Sequence, residues 1–242
     1  MNSFEPVLKR AIQRKGSESI LFTLMPNILS DKAFQKITDD RFLSMMTKCV
    51  FRAGFHWKVI DKKWPDFEHA FHRFDPVVLV HKSPDEWDAY MQDTRIVRNW
   101  QKIQAVYNNA LFVNDIAEEY NSFTRFISSW PQDDQIGLMR YLKKHGSRLG
   151  GNTGMYFLRY MGMDSFILSQ DVVMALQESG LEIADNPTSQ RDLKKVQERF
   201  NEWHKDTALP YSHLSKIAAY SCGQNYHQDV IQEEMTKVGE KN

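Results

Sequence analysis

KHGSRLGGNTGMYFLRYMG, Lys144–Gly162, is the stretch whose reading decides the fold. A basic approach through Lys143, Lys144, His145 and Arg148 runs into Gly150, Gly151, Asn152 and Thr153, and an apolar run of helical spacing then continues to Gly162. The pattern predicts a helix, a glycine hairpin and a second helix over 143–162. Gly150 and Gly151 can take positive φ and let a partner approach their N–H groups, while the second helix opens with unpaired donors and a positive dipole end. Backbone amides flanked by cations suit a phosphate. Such a hairpin grips a nucleic-acid backbone without reading its sequence, which makes Lys143, Lys144, Arg148, Gly150, Gly151 and Thr153 the DNA-binding candidates.

Outward from the hairpin the signals stay helical, and the expected class is all-α. Upstream, Phe4, Val7, Leu8 and Ile12 mark an amphipathic helix that stops at Gly16, and a short apolar run from Ser19 to Met25 closes at Pro26. Thr38-Asp39 can cap a helix over Arg41–Phe51, which Ala53-Gly54 ends. A helix is expected around Phe67–Phe74, stopped by Asp75-Pro76. Ser83-Pro84-Asp85-Glu86 is a strong helix start. A long amphipathic helix is expected over Ile96–Phe112 and a shorter one over Phe123–Trp130. Downstream, Ser189 caps a helix with Leu193, Val196, Phe200 and Trp203 on one face, and Pro210 opens the last, which ends at Gly223. No repeat, low-complexity linker or long period-2 run is present. The expected division is an N-terminal helical extension, 1–41, a helical domain, 42–223, and a polar, frayed tail, 224–242.

With 242 residues, 42% hydrophobic and 26% charged, the chain can bury one good core or two small ones. Thirty-one basic residues balance thirty-one acidic ones, so no global field draws in nucleic acid and any DNA face must be a local patch. Cys49 and Cys222 lie far apart without metal-site spacing, which fits a reduced compartment and no structural metal. No apolar run approaches the ~18 residues of a membrane span, and the N-terminus lacks a signal-peptide core. A soluble, cytoplasmic monomer is expected.

The hairpin resembles the helix-hairpin-helix of the DNA glycosylase superfamily, whose pattern is roughly Leu-Pro-Gly-Val-Gly-x-x-Thr-Ala: Arg148, Leu149, Gly150 and Thr153 fall on its Gly, Val, Gly and Thr columns. Three further blocks are similar to those of the bacterial 3-methyladenine DNA glycosylase I family. They are Phe51-Arg-Ala-Gly-Phe-His-Trp57, Phe71-His-Arg-Phe-Asp-Pro76, and Asp93-Thr-Arg-Ile-Val-Arg98 followed by Lys102-Ile103 and Ala105, in the family's order and at its spacing. The resemblance covers about Phe42 to Leu176. It implies a helical fold that flips an alkylated purine, such as 3-methyladenine, from double-stranded DNA and cuts its N-glycosidic bond. A cationic N3- or N7-alkylated purine leaves readily, so the enzyme needs mainly to hold the base and stabilise an oxocarbenium-like sugar.

By the same resemblance Trp57 is the pocket tryptophan that stacks on the flipped base, with a core tryptophan as the alternative. Cys49 stands where the family places a base-binding glutamate, and a thiol cannot accept hydrogen bonds from a cationic purine as a carboxylate does. That points to a different base, or none, or to a buried structural cysteine. Gln170 occupies the superfamily's catalytic Asp column, and Asp171 is the nearest carboxylate; its alternative is helix capping. Asn152 stands where bifunctional members carry a Schiff-base lysine, so strand-cutting lyase activity is not expected. The family's zinc positions fall on Val172 and Leu176, and neither metal nor cofactor is expected. His69 and His72, three apart on the expected helix, lack a third ligand. Arg95, Arg98 and Lys102 are further phosphate candidates, or a solvated helix face.

Three functions stay open on the sequence: a monofunctional DNA N-glycosylase with an altered pocket, a DNA-binding relative without base excision, and a protein-interaction module that binds no DNA.

Overall fold

Helical periodicity resolves, in a computed structural model that describes residues 3–227 and 229, into fourteen α-helices with no strand among the described residues. They are α1 (Glu5–Lys15), α2 (Glu18–Thr23), α3 (Asp31–Phe34), α4 (Asp39–Arg52), α5 (Trp57–Ala70), α6 (Pro76–Val80) and α7 (Pro84–Ala89). Then follow α8 (Trp100–Tyr120), α9 (Phe123–Ser129), α10 (Gln135–His145), α11 (Asn152–Tyr160), α12 (Gln170–Glu178), α13 (Gln190–Thr207) and α14 (Tyr211–Ser221). The all-α expectation holds. None of these helices is long and apolar enough to cross a membrane. Two compact units are present: the first holds the described residues up to Leu29, Pro131–Gly137 and those from Leu158 on, the second Ser30–Trp130 and Leu138–Phe157.

In the first unit α14 is central, packed by α1, α12 and α13. Phe166 stacks on Phe200 with centroids 4.3 Å apart, and Phe4 lies against Trp203. Where α14 ends, its carbonyls need donors. Arg14 supplies them, donating to Tyr220 O, Cys222 O and Gly223 O at 2.7–3.0 Å. Lys15 donates to Asn225 Oδ1 at 2.8 Å, so the expected tail begins anchored to α1; its residues 228 and 230–242 lie outside the described residues. Gly162 ends the hairpin's second helix as expected: it takes φ +81°, its carbonyl accepts from Leu29 N, and a Cβ would fall 2.5 Å from Leu29 Cγ.

In the second unit α4 and α8 pack together, with α5, α6 and α9 against them. Phe42, Phe51, Phe67, Phe71, Phe74 and Phe123 fill the core, all fully buried. Two boundaries differ from the sequence expectation. α8 starts four residues late, where Asn99 Oδ1 accepts from Lys102 N, and runs on to Tyr120 because Val113 and Ile116 are also buried. α5 starts at Trp57 and stops at Ala70, because His72, Arg73 and Phe74 turn left-handed at φ +52°, +57° and +60°. Each such residue costs about 1–2 kcal/mol. The turn holds because Phe74 is buried and stacked on Trp64, Arg41 donates to Arg73 O at 2.7 Å, and Asp75 caps α6 through Val77 N and Val78 N.

Candidate functional site

The hairpin expected over 143–162 forms, with α10 and α11 as its arms. Its backbone is fixed by Asn109 of α8, which is fully buried: Asn109 Oδ1 accepts from Ser147 N at 2.7 Å, and its Nδ2 donates to Ser147 O at 3.1 Å. Leu149 plugs the core beneath. Gly154 lets the second arm close, since a Cβ there would meet Leu149 O at 2.4 Å. The positive φ expected at both glycines occurs at Gly151 (φ +57°) and at Arg148 (φ +60°), not at Gly150. Arg148 thus adopts the left-handed backbone on the glycine column it replaces. Gly150 matters for another reason, because a Cβ would press on Lys143 Cγ at 3.1 Å. Lys143, Lys144, Arg148 and Gly151 are exposed and Thr153 is half-buried, which leaves a cationic rim around the amides that open α11. Arg148 Nη2 donates to Gln101 Oε1 at the start of α8.

Trp57 opens α5 after the loop Ala53-Gly54-Phe55-His56. It is 38% exposed rather than a core residue, and Tyr156 of α11 meets it edge-on with centroids 5.8 Å apart. The second helix of the hairpin therefore touches Trp57. Phe55 and Val59 beside it are exposed as well. Cys49 lies one turn before Ala53 on α4, with its thiol buried. Burial pushes that thiol up to about 12, so it stays protonated and carries no charge.

Three charged residues missed in the sequence surround this point. Lys48 and Arg52 are one turn apart on α4, and both reach Asp61 on α5: Lys48 Nζ at 3.4 Å, Arg52 Nε at 3.0 Å. Burial lowers the pKa of Lys48. Arg52 is 2% exposed, and its guanidinium lies over the Trp57 ring, 5.5 Å from the centroid. The signal was available: Lys48 and Arg52 at i, i+4 put two cations on one stripe of α4, and Trp57 and Asp61 share the same spacing on the next helix.

The remaining candidates divide. Gln170 and Asp171, in the first unit, open α12, but Ser169 is its cap through Val172 N at 3.3 Å. Gln170 is exposed. Asp171 turns its carboxylate onto Gly223, where a Cβ would fall 2.1 Å from Oδ1. Among the phosphate candidates of the second unit, Arg95 is held by Asp93 and Lys102 donates to Phe51 O and Ala53 O, closing the C-terminus of α4; Arg98 is exposed. His69 and His72 do not share a helix face, because α5 ends between them, although both line an open cleft with Arg73 and Arg95. No group of three or more His, Cys, Asp or Glu side chains that could hold a metal ion is found among the described residues.

A model of the methyladenine glycosylase family matches residues 33–148, which hold α4, the Trp57 block, the left-handed turn, α8 and the approach to the hairpin. DNA-3-methyladenine glycosylase 1 of Escherichia coli (strain K12) is 28% identical over 131 residues, 46% of this chain and 70% of that protein. DNA-3-methyladenine glycosylase of Haemophilus influenzae is 28% identical over 159 residues, 57% of this chain and 80% of that one. In fold alone, at 14% identity, the chain is similar to the Methanocaldococcus jannaschii 8-oxoguanine glycosylase/lyase solved with 15mer DNA containing 8-oxoguanine: the TM-score is 0.54 over 88% of this chain and 95% of that one. Over residues 33–148, just under half of its length, the chain is similar to the methyladenine glycosylase family.

Proposed function

We propose that the chain is a monofunctional DNA glycosylase that flips a damaged purine out of the duplex and hydrolyses its N-glycosidic bond, 3-methyladenine being the base named for its relatives. The observation that carries this reading is the contact of Tyr156 with Trp57, which sets an exposed stacking face beside the helix that opens from a cationic hairpin. In this reading Gly150, Gly151 and Thr153 hold a phosphate with Arg148, Lys143 and Lys144 around it, Trp57 stacks on the base, and Cys49 closes the pocket floor. Gln170 and Asp171 are the groups assigned to the sugar and its attacking water. Asn152 cannot form a Schiff base, so the product is an abasic site and not a cut strand.

One observation favours a second reading. Cys49 is buried and uncharged where base recognition by the relatives' pattern calls for an acceptor, which suits a DNA-binding relative without excision. Chromatography of bases released from methylated duplex DNA separates the two. Release that Trp57→Ala abolishes supports the enzyme; retained duplex binding without release supports the second reading.

A further inference from the structure

Beside the left-handed turn of the second unit lies an open cleft of about 590 Å³ whose polar lining is Glu68, His69, His72, Arg73 and Arg95. The turn exposes the His72 and Arg73 side chains while Phe74 stays in the core. Backbone strain of this kind persists only where the surroundings over-determine it, and it gathers at functional sites. Arg41 is that surrounding: it donates to both oxygens of Glu68 at 2.9 and 3.0 Å and to Arg73 O at 2.7 Å, which ties the cleft wall to the turn. Glu68 also accepts from Ser44 at 2.6 Å, so the carboxylate in the lining is already occupied. The donors are not. Among the described residues the Arg73 guanidinium and the rings of His69 and His72 make no hydrogen bond or ion pair, and Arg95, held by Asp93 through Nε and Nη2, keeps Nη1. Asp66 acts on the charge of Arg95 but does not line the cleft. Burial, then Lys82, with Arg95 and His69 behind it and Glu86 opposing, lowers the pKa of His72, so that ring already sits among cations.

The geometry points to a phosphate-binding site in this cleft, with Arg73 and Arg95 donating from their guanidinium groups and His69 and His72 from ring N–H groups to the oxygens of one phosphate group. A guanidinium fork matches a pair of phosphate oxygens, and charge-assisted hydrogen bonds are the strong ones. The group belongs either to a DNA strand or to a free phosphate ion, and both present the same oxygens. This site differs in kind from the hairpin, which offers backbone amides; here side chains make every contact. It requires neither the Trp57 pocket nor the groups of α12, so it stands or falls apart from base excision.

NMR of the imidazole rings tests this, with the His69 and His72 signals assigned through His69→Gln and His72→Gln and followed during titration with inorganic phosphate. Both signals are expected to move and saturate, while sodium chloride at matched ionic strength leaves them in place. Arg73→Gln should bind phosphate about tenfold more weakly, the loss of one charge-assisted contact. It keeps the turn, because Arg41 holds the carbonyl at 73 and not the side chain. Arg148→Gln, in the hairpin, should leave the phosphate response intact. A lesion-free duplex then identifies the source: if it moves the same two signals and inorganic phosphate displaces it, the group is a strand phosphate, and if it leaves them in place the ligand is the free ion. Either result supports the site. No movement with phosphate, an equal movement with chloride, or a response lost in Arg148→Gln and kept in Arg73→Gln overturns it. If Arg73→Gln does not fold, the wild-type comparison of phosphate with chloride still decides.

Discussion

Asn109 holds Ser147 by two hydrogen bonds across 38 residues, N–H to Oδ1 and Nδ2 to carbonyl, and so moors the hairpin backbone to the interior of α8. Both partners are backbone groups, so no side-chain change at 147 can replace the clamp. Asn109→Ala is expected to leave them without partners and to cost about 2–3 kcal/mol, from two buried groups at ~1–3 kcal/mol each with partial access to water. The check is the urea midpoint; an unchanged midpoint would show that the clamp contributes nothing.

Arg148 has opposite effects on stability and binding. Its left-handed backbone carries a strain that glycine lacks, so Arg148→Gly should leave stability level or raise it by up to about 1 kcal/mol, while Arg148→Ala should not. Duplex affinity should fall in both variants, with the slope of log K against log salt smaller by about one. If titrations over a range of salt give the wild-type slope, Arg148 does not contact phosphate.

Cys49 gives a pH dependence with a definite sign. Its folded thiol sits at about 12 against an ordinary value of 9.0, so the stability it contributes is complete below pH 9 and is lost as the pH climbs towards 12. The expected slope in that window approaches ~1.4 kcal/mol per pH unit. Denaturation of wild type and Cys49→Ala at pH 8 and pH 10.5 should show the gap between them closing at the higher pH. A constant gap would mean that the thiol ionises in the folded chain.

Much of the helical order was readable because helix starts and stops are local. Ser83 and Ser189 cap the helices that follow them, and Gly16 and Gly162 end theirs at positive φ, whereas at α12 the cap is Ser169 and not the Asp171 that the sequence offered. What the sequence hid depends on contacts distant along the chain. The left-handed run His72–Phe74 follows a perfectly helical pattern, and only Trp64 and Arg41 make its strain tolerable. In the same way, nothing local marks Lys102 as the C-terminal cap of α4. The hairpin was readable in outline, but which of its residues turn left-handed was decided by Leu149 and Asn109 beneath it.

Trp57→Ala should separate function from folding. The ring is 38% exposed, so its loss is expected to cost about 1–2 kcal/mol, well below the ~3–5 kcal/mol of a core tryptophan, while base release falls below detection. Thermal melting alongside the release assay is the check. Equal losses in both would make Trp57 a packing residue.

Asp171→Asn and Gln170→Ala apportion the work at α12. Ser169 caps the helix, so Asp171→Asn should shift the melting temperature by no more than a few degrees. If Asp171 orients the attacking water, single-turnover release drops at least a hundredfold in Asp171→Asn with duplex affinity kept, and Gln170→Ala falls less. The reverse order would move the role to Gln170.

The left-handed turn at His72–Phe74 also orders events in time. Its strain arises as soon as the three residues bend, whereas the groups that hold it, Arg41 from α4 and Trp64 from α5, must first be brought into place. A segment that is unfavourable alone cannot nucleate anything. It is expected to form late, on an α4–α5 pair already assembled, so substitutions there should change the unfolding rate and leave the folding rate nearly untouched.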